Sequence, residues 1–200
     1  MLKKELIIAT KNQGKFREIR KILKDCGFRL RFLGRFKNAP CVKENGYTFL
    51  ENAKKKALET ACFFNCLSVG EDSGLVVPFL GGAPGIRSAR FSRSGRDEDN
   101  NRKLLRLLEG VPFNKRRAYF ICTLALASPE GIIKTFQGKV YGYIDFIPKG
   151  KNGFGYDPLF YIPQYKKTFA QLPLRVKNEI SHRSQAFRKL KTFLKKSAVL

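Results

Sequence analysis

The chain alternates between short apolar, β-branched runs and longer stretches where apolar residues recur every three or four positions. Residues 5–10 (ELIIAT) read as a first strand. A turn, 11–15 (KNQGK), leads into a helix: Phe16, Ile19, Leu23 and Cys26 share helical spacing, and Gly27 is a fitting stop. Residues 31–39 carry no clear period. A second helix is well marked. Thr48 and Glu51 form a capping box, and Leu50, Ala53, Ala57, Ala61 and Phe64 make one apolar stripe. Lys54, Lys55 and Lys56 then fall on a mostly solvated face, from which one lysine could reach a phosphate.

Between the apolar runs 63–69 and 75–77 lies GEDSG, residues 70–74. Two carboxylates between glycines predict a loop where the backbone turns sharply. Residues 81–85 (GGAPG) predict a rigid loop against the site. Asp97, Glu98 and Asp99 open a helix that buries Leu104, Leu105 and Leu108. The helix dipole is a sufficient reason for those acids. Residues 117–128 form the longest strand candidate; Pro129-Glu130-Gly131 turns the chain, and 132–144 returns as the second arm of an antiparallel hairpin. Residues 150–158 (GKNGFGYDP) are a glycine-rich loop holding Phe154, Tyr156 and Asp157. Ser181 caps a last helix with its stripe at Phe187, Leu190 and Leu194.

Composition narrows the class. Two hundred residues, 43% of them hydrophobic, are enough for one substantial domain, whole or two-lobed. No stretch approaches the roughly 20 apolar residues that span a bilayer, and the N-terminus has no signal-peptide core, so the expectation is a cytoplasmic protein with no membrane partner. Cys26, Cys41, Cys62, Cys66 and Cys122 are odd in number and match no zinc spacing. They are read as buried free thiols, with Cys62 and Cys66 on one helical face. A net charge of +24 fits a nucleic-acid footprint, polyanionic small molecules or proteome bias. No RGG tract, zinc finger or RNP-type motif selects the first of these.

Three places carry candidate chemistry. Strand, glycine-containing turn and helix build an anion site from free N–H groups, with Lys11 and Lys15 adding charge. An ordinary βα turn with solvated lysines is the alternative, and the Walker A spacing is absent. The acidic stretch can hold a divalent metal or take a proton from water, or it is a solvated turn. Phe154 and Tyr156, flanked by glycines, can present a flat face to a base, or pack inward. A lone histidine is more often structural, but His182 with Arg183 at a helix start, where donors converge, favours a functional role.

In order, the segments Thr10-x-Asn12-x-x-Lys15, Glu44-Asn45-Gly46-x-Thr48-Phe49-x-Glu51-Asn52-Ala53, Asp72-Ser73-Gly74-Leu75, Gly81-Gly82-Ala83-Pro84-Gly85-x-x-Ser88-Ala89-Arg90, Gly153-Phe154-Gly155-Tyr156-Asp157-Pro158 and Ser181-His182-Arg183 resemble the Ham1/inosine triphosphatase family. Six ordered motifs spanning nearly the whole chain are a specific signature. Glu71 stands where bacterial members often carry Asp, which keeps the acid.

The resemblance implies an elongated α/β fold with a long central mixed sheet flanked by helices. It implies a single catalytic domain over residues 1–200, two-lobed with the active-site cleft between the lobes, and usually a homodimer. The implied reaction is Mg²⁺-dependent hydrolysis of ITP, dITP or XTP to the monophosphate and pyrophosphate, with no nucleic acid required. By the same resemblance, Thr10, Lys11, Asn12, Gln13, Gly14 and Lys15 grip phosphates. Glu44 and Asp72 are the metal ligands, and Asp72 also occupies the proton-acceptor position. Ser73 contacts substrate, Lys56 is a further phosphate candidate, and Phe154, Gly155, Tyr156, Asp157, Lys177, His182 and Arg183 are substrate positions. A 6-keto purine offers an acceptor where adenine offers a donor, so a pocket of donors would discriminate between them. A basic nucleic-acid-binding module and a nucleotide hydrolase of different base choice are the alternatives.

Overall fold

The computed structural model describes residues 4–196. Their elements run β1 (Glu5–Ala9), α1 (Gln13–Ile22), β2 (Arg29–Phe32), α2 (Phe49–Phe64), β3 (Ser68–Val76), α3 (Asp97–Leu107), β4 (Arg117–Ser128), β5 (Gly131–Ile144), β6 (Phe160–Ile162), β7 (Lys167–Thr168), α4 (Leu174–Ile180) and α5 (His182–Lys196), with short 3-10 turns between. The strands form one seven-stranded sheet in the order β2-β1-β3-β4-β5-β6-β7. It is mixed: β1 pairs in parallel with β2 and β3, whereas β6 pairs antiparallel with β5 and β7. Parallel neighbours need a crossover, which α1 and α2 provide.

The described chain divides into two compact units. The first takes residues 4–72, 122–138 and 183–196; the second takes 73–121 and 139–182. In the first, Leu6, Ile8, Ile19 and Leu23 pack with Leu124, Leu126, Phe187 and Leu190. Ala53, Ala57 and Ala61 of α2 meet Ala125 and Ala127 of β4 in a separate cluster of small side chains. The second unit has its own core around Leu75, Leu104, Leu108, Phe120, Phe160 and Phe169.

Half of the expected capping box forms: Thr48 Oγ1 accepts the Glu51 N–H at 3.1 Å, but the Glu51 carboxylate accepts the Tyr47 N–H and not that of Thr48. The buried face of α2 is shifted from the predicted stripe. Leu50 is exposed, while Asn52, Lys56 and Thr60 are buried beside the alanines. Lys56 therefore leaves the solvated face assigned to it.

A larger departure concerns residues 70–74. They are not a loop but the middle of β3, with Gly70, Glu71 and Asp72 buried. Gly70 serves close approach rather than turning. A Cβ there would run into the Ala53 carbonyl oxygen and lie 2.6 Å from the Ala57 amide nitrogen, so α2 lies directly against the strand. The thiols also differ from expectation. Cys26 and Cys122 are buried, Cys41 and Cys62 are exposed, and Cys66 is intermediate. Asn65 ends α2 in a left-handed conformation, so Cys66 lies beyond the helix that holds Cys62.

Candidate active site

Adjacent residues of a strand point to opposite faces, so Glu71 and Asp72 cannot work as one pair of acids. Asp72 turns toward α2. Its Oδ2 accepts a hydrogen bond from Asn52 Nδ2 at 3.0 Å, and Oδ1 lies 3.7 Å from Lys56 Nζ. Asn52 is itself held, because its Oδ1 accepts the Gly46 N–H at 2.8 Å. Burial pushes the Asp72 carboxyl up from the ordinary aspartate range, while Lys56, Lys15 and the Asn52 hydrogen bond pull the other way.

Lys56 Nζ also lies 3.2 Å from Glu44 Oε1. One ammonium thus reaches both carboxylates, which places Glu44 and Asp72 on the two sides of a single cation. Among the described residues no group of three or more His, Cys, Asp or Glu could hold a metal. Two hard oxygen donors suit a cation that takes one or two carboxylates and completes its shell with phosphate and water. The site fits Mg²⁺ and does not fit a closed zinc cage.

Glu71 faces the other way, into a charged cluster at 1% exposure. Its Oε1 accepts hydrogen bonds from Arg183 Nε at 3.2 Å and Nη2 at 3.0 Å, and Oε2 lies 3.5 Å from Lys15 Nζ. Arg183 Nη1 donates to Glu18 Oε2 at 2.6 Å. Burial alone would lower the Arg183 pKa, but Glu71 and Glu18 outweigh it and hold the guanidinium charged. Arg183, expected at a substrate position, lies in this cluster: its guanidinium pairs with two carboxylates and is 2% exposed. Through Glu71 the cluster continues to Lys15.

The turn before α1 is shorter than its sequence suggested, because Gln13, Gly14 and Lys15 already belong to the helix. Asn12 caps the helix, its Oδ1 accepting the Lys15 N–H at 2.9 Å, and Thr10 Oγ1 accepts the Asn12 N–H at 3.1 Å. Lys11, Asn12 and Gln13 are exposed, while Gly14 and Lys15 are half-buried. The first turn of α1 carries no acid, so its N–H groups face no competing anion within that turn.

In the second unit the expected base-reading residues separate into two kinds. Phe154 is half-buried, with the Lys177 ammonium 4.8 Å from its ring centre. Tyr156 packs inward, the second of the two readings open to it: it is buried in the core, and its hydroxyl donates to the Ser88 carbonyl at 2.8 Å. Burial, then the nearby Asp97 charge, pushes that hydroxyl's pKa well up. Asp157 joins two partners: its Oδ2 accepts the Lys177 ammonium at 2.6 Å and the Phe154 N–H at 2.9 Å. Gly155 spends its N–H on Asp97 and its carbonyl on Asn101. His182 is buried, its ring stacked 4.8 Å from that of Phe120. Ser73, next to Asp72 in β3, is half-buried.

Sequence reading missed Glu18, Asn52, Asp97 and Asn101 and left Glu71 without a role. Glu18 was visible as the one acid in the basic run QGKFREIRKI, a turn beyond Lys15. Asn52 lay inside a quoted motif. Asp97 had an adequate helix-dipole explanation that concealed a second one.

Comparison with known proteins adds an independent finding. A sequence model of the Ham1 family matches residues 6–193. The chain is 50% identical over 186 residues to a dITP/XTP pyrophosphatase of Desulforamulus reducens, covering 92% of each chain. It is 48% identical over 190 residues to a dITP/XTP pyrophosphatase of Geobacter sulfurreducens, covering 94% of this chain and 96% of that one. The solved structure of the Staphylococcus aureus Ham1 protein superposes with a TM-score of 0.87 at 40% identity, covering 97% of this chain and all of the other.

Proposed function

The chain belongs to the Ham1 family, and from that premise we propose that it hydrolyses dITP, ITP and XTP to the nucleoside monophosphate and pyrophosphate with Mg²⁺. The observation that carries the proposal is Asp72, buried at the centre of a strand. Asn52 fixes one of its oxygens, and the other faces an ammonium shared with Glu44. A carboxylate so held cannot swing away, and its raised pKa makes it a better proton acceptor than an exposed aspartate.

We assign the phosphates to the first unit. The turn Thr10–Lys15 offers backbone N–H groups and Lys15, and Lys56 supplies a second cation. Glu44 and Asp72 are the residues that would hold the metal, whose bound charge offsets that of the triphosphate oxygens. Asp72 accepts the proton of the water that attacks the α-phosphorus, and pyrophosphate leaves. Glu71, Arg183 and Glu18 hold Lys15 at its post. The purine falls to the second unit, where Phe154 supplies the ring face and Lys177, anchored by Asp157, the adjoining positive charge. The 200 residues act as one catalytic domain. We further propose a homodimer acting on the cytoplasmic nucleotide pool; among the described residues no helix is long and apolar enough to cross a membrane.

The test is a panel of triphosphates with separate detection of pyrophosphate and inorganic phosphate, with and without a chelator. Pyrophosphate from dITP and XTP, little from dATP, and loss of turnover with the chelator are expected. Inorganic phosphate as the first product would place cleavage at another bond and refute the assignment. Light scattering in solution decides the dimer.

A further inference from the structure

Asp97 and Asn101 lie four residues apart on α3, hence on one helical face, and both reach the same glycine. Asp97 Oδ2 accepts the Gly155 N–H at 2.6 Å, and Asn101 Nδ2 donates to the Gly155 carbonyl at 3.0 Å. Gly155 sits at φ +63°, in the left-handed region. On the other side of Phe154, Asp157 Oδ2 accepts the Phe154 N–H at 2.9 Å, and Lys177 holds that carboxylate at 2.6 Å. The two peptide groups that flank the Phe154 Cα are therefore each anchored by a different carboxylate. Both backbone dihedrals of Phe154 are fixed from outside, and only the side-chain torsions remain to aim the ring.

We propose that Asp97 and Asn101 are positioning residues that set the orientation of the Phe154 ring and, through it, the preference for 6-keto purines. The proposal rests on the reading that Phe154 meets the purine. A helix-dipole role does not need these contacts. Glu98, exposed at the next position, supplies the same dipole term, and Asp99 serves the dipole while bonding to Arg96 and Arg102. Among the described residues, only Asp97 and Asn101 combine a place on α3 with a hydrogen bond to a loop more than 50 residues away in sequence.

The test compares Asp97→Ala, Asp97→Asn, Asn101→Ala and the control Glu98→Ala. One readout is exchange of the Gly155 amide proton by NMR, and the other is KM, kcat and the dITP-to-dATP preference. Asp97→Ala should speed Gly155 exchange and raise KM for dITP roughly tenfold, with a similar loss of preference and kcat within about threefold, because a ring released from its pose binds less well before the chemistry is touched. Asp97→Asn keeps an acceptor and should recover most of the loss, whereas Glu98→Ala should match the parent. Should Asp97→Ala fail to fold, Asn101→Ala tests the other half of the clamp alone. Parental Gly155 exchange, or faster exchange with parental KM and preference, would overturn the proposal. A parent enzyme that makes no pyrophosphate from dITP would refute the functional reading instead, and the exchange measurement would still judge the clamp.

Discussion

The two units hold their functional groups by opposite means. In the first, the groups stand on regular elements and are aimed by charge. Asp72 and Glu71 leave opposite faces of β3, and each is met by cations on helices. In the second, Phe154 stands on an irregular loop whose backbone is held by hydrogen bonds, with one buried ion pair, Lys177 to Asp157, as anchor. Phosphate chemistry needs charges at fixed points, and a strand clamped by a helix fixes them best. Reading a base needs a close approach of ring to ring, which a loop allows once its dihedrals are tied.

The sharpest way to break the first arrangement is Asp72→Asn. Turnover should fall by about 10²- to 10⁴-fold while the protein stays folded. The folded-state pKa of Asp72 is raised, so its stabilising protonated form is present below the unfolded pKa and lost as pH rises through the folded one. The asparagine variant should therefore melt a few degrees higher than the parent at neutral pH, and the difference should vanish on acidification. A variant that is active, or less stable at neutral pH, would contradict this placement.

Arg183→Ala should act on stability before specificity. It takes the guanidinium away from the buried Glu18 and Glu71 carboxylates, and a loss of about 3–5 kcal/mol by urea unfolding is expected. Arg183→Lys keeps the charge without the fork and should lose less. If dITP-to-dATP preference collapses in a variant of parental stability, Arg183 reads the base after all.

Gly70→Ala tests the strand-and-helix clamp without touching a charge. The added methyl meets the α2 backbone, so about 1–3 kcal/mol of stability should go, with turnover falling as Asp72 moves off Asn52 and Lys56. The smallest effect belongs to the second unit. Tyr156→Phe removes one buried hydrogen bond and should cost about 1 kcal/mol in stability with little change in kcat, since the hydroxyl serves the core. A large loss of kcat would return Tyr156 to the substrate.

Much of this protein follows from short-range information. The helix cap at Thr48, the helical spacing of Phe16 to Leu23, and the strand at Arg117–Ser128 all depend on neighbours within a few residues. So do the ordered motifs that mark the family. Tertiary structure decided what depends on partners far away in the chain. Gly70 looked like a turn residue because no local signal tells a turn from a close approach. Glu71 and Asp72 looked like a pair because β3 was not expected to run through them. Arg183 meets Glu71 and Glu18, 112 and 165 residues distant, contacts that nothing in its own neighbourhood announces. Local propensity sets the elements, but the packing of elements far apart in the chain chooses which polar groups meet. In a buried site a charge takes whichever partner lies within hydrogen-bonding distance, because leaving it unpaired there costs more than any preference written in its neighbours.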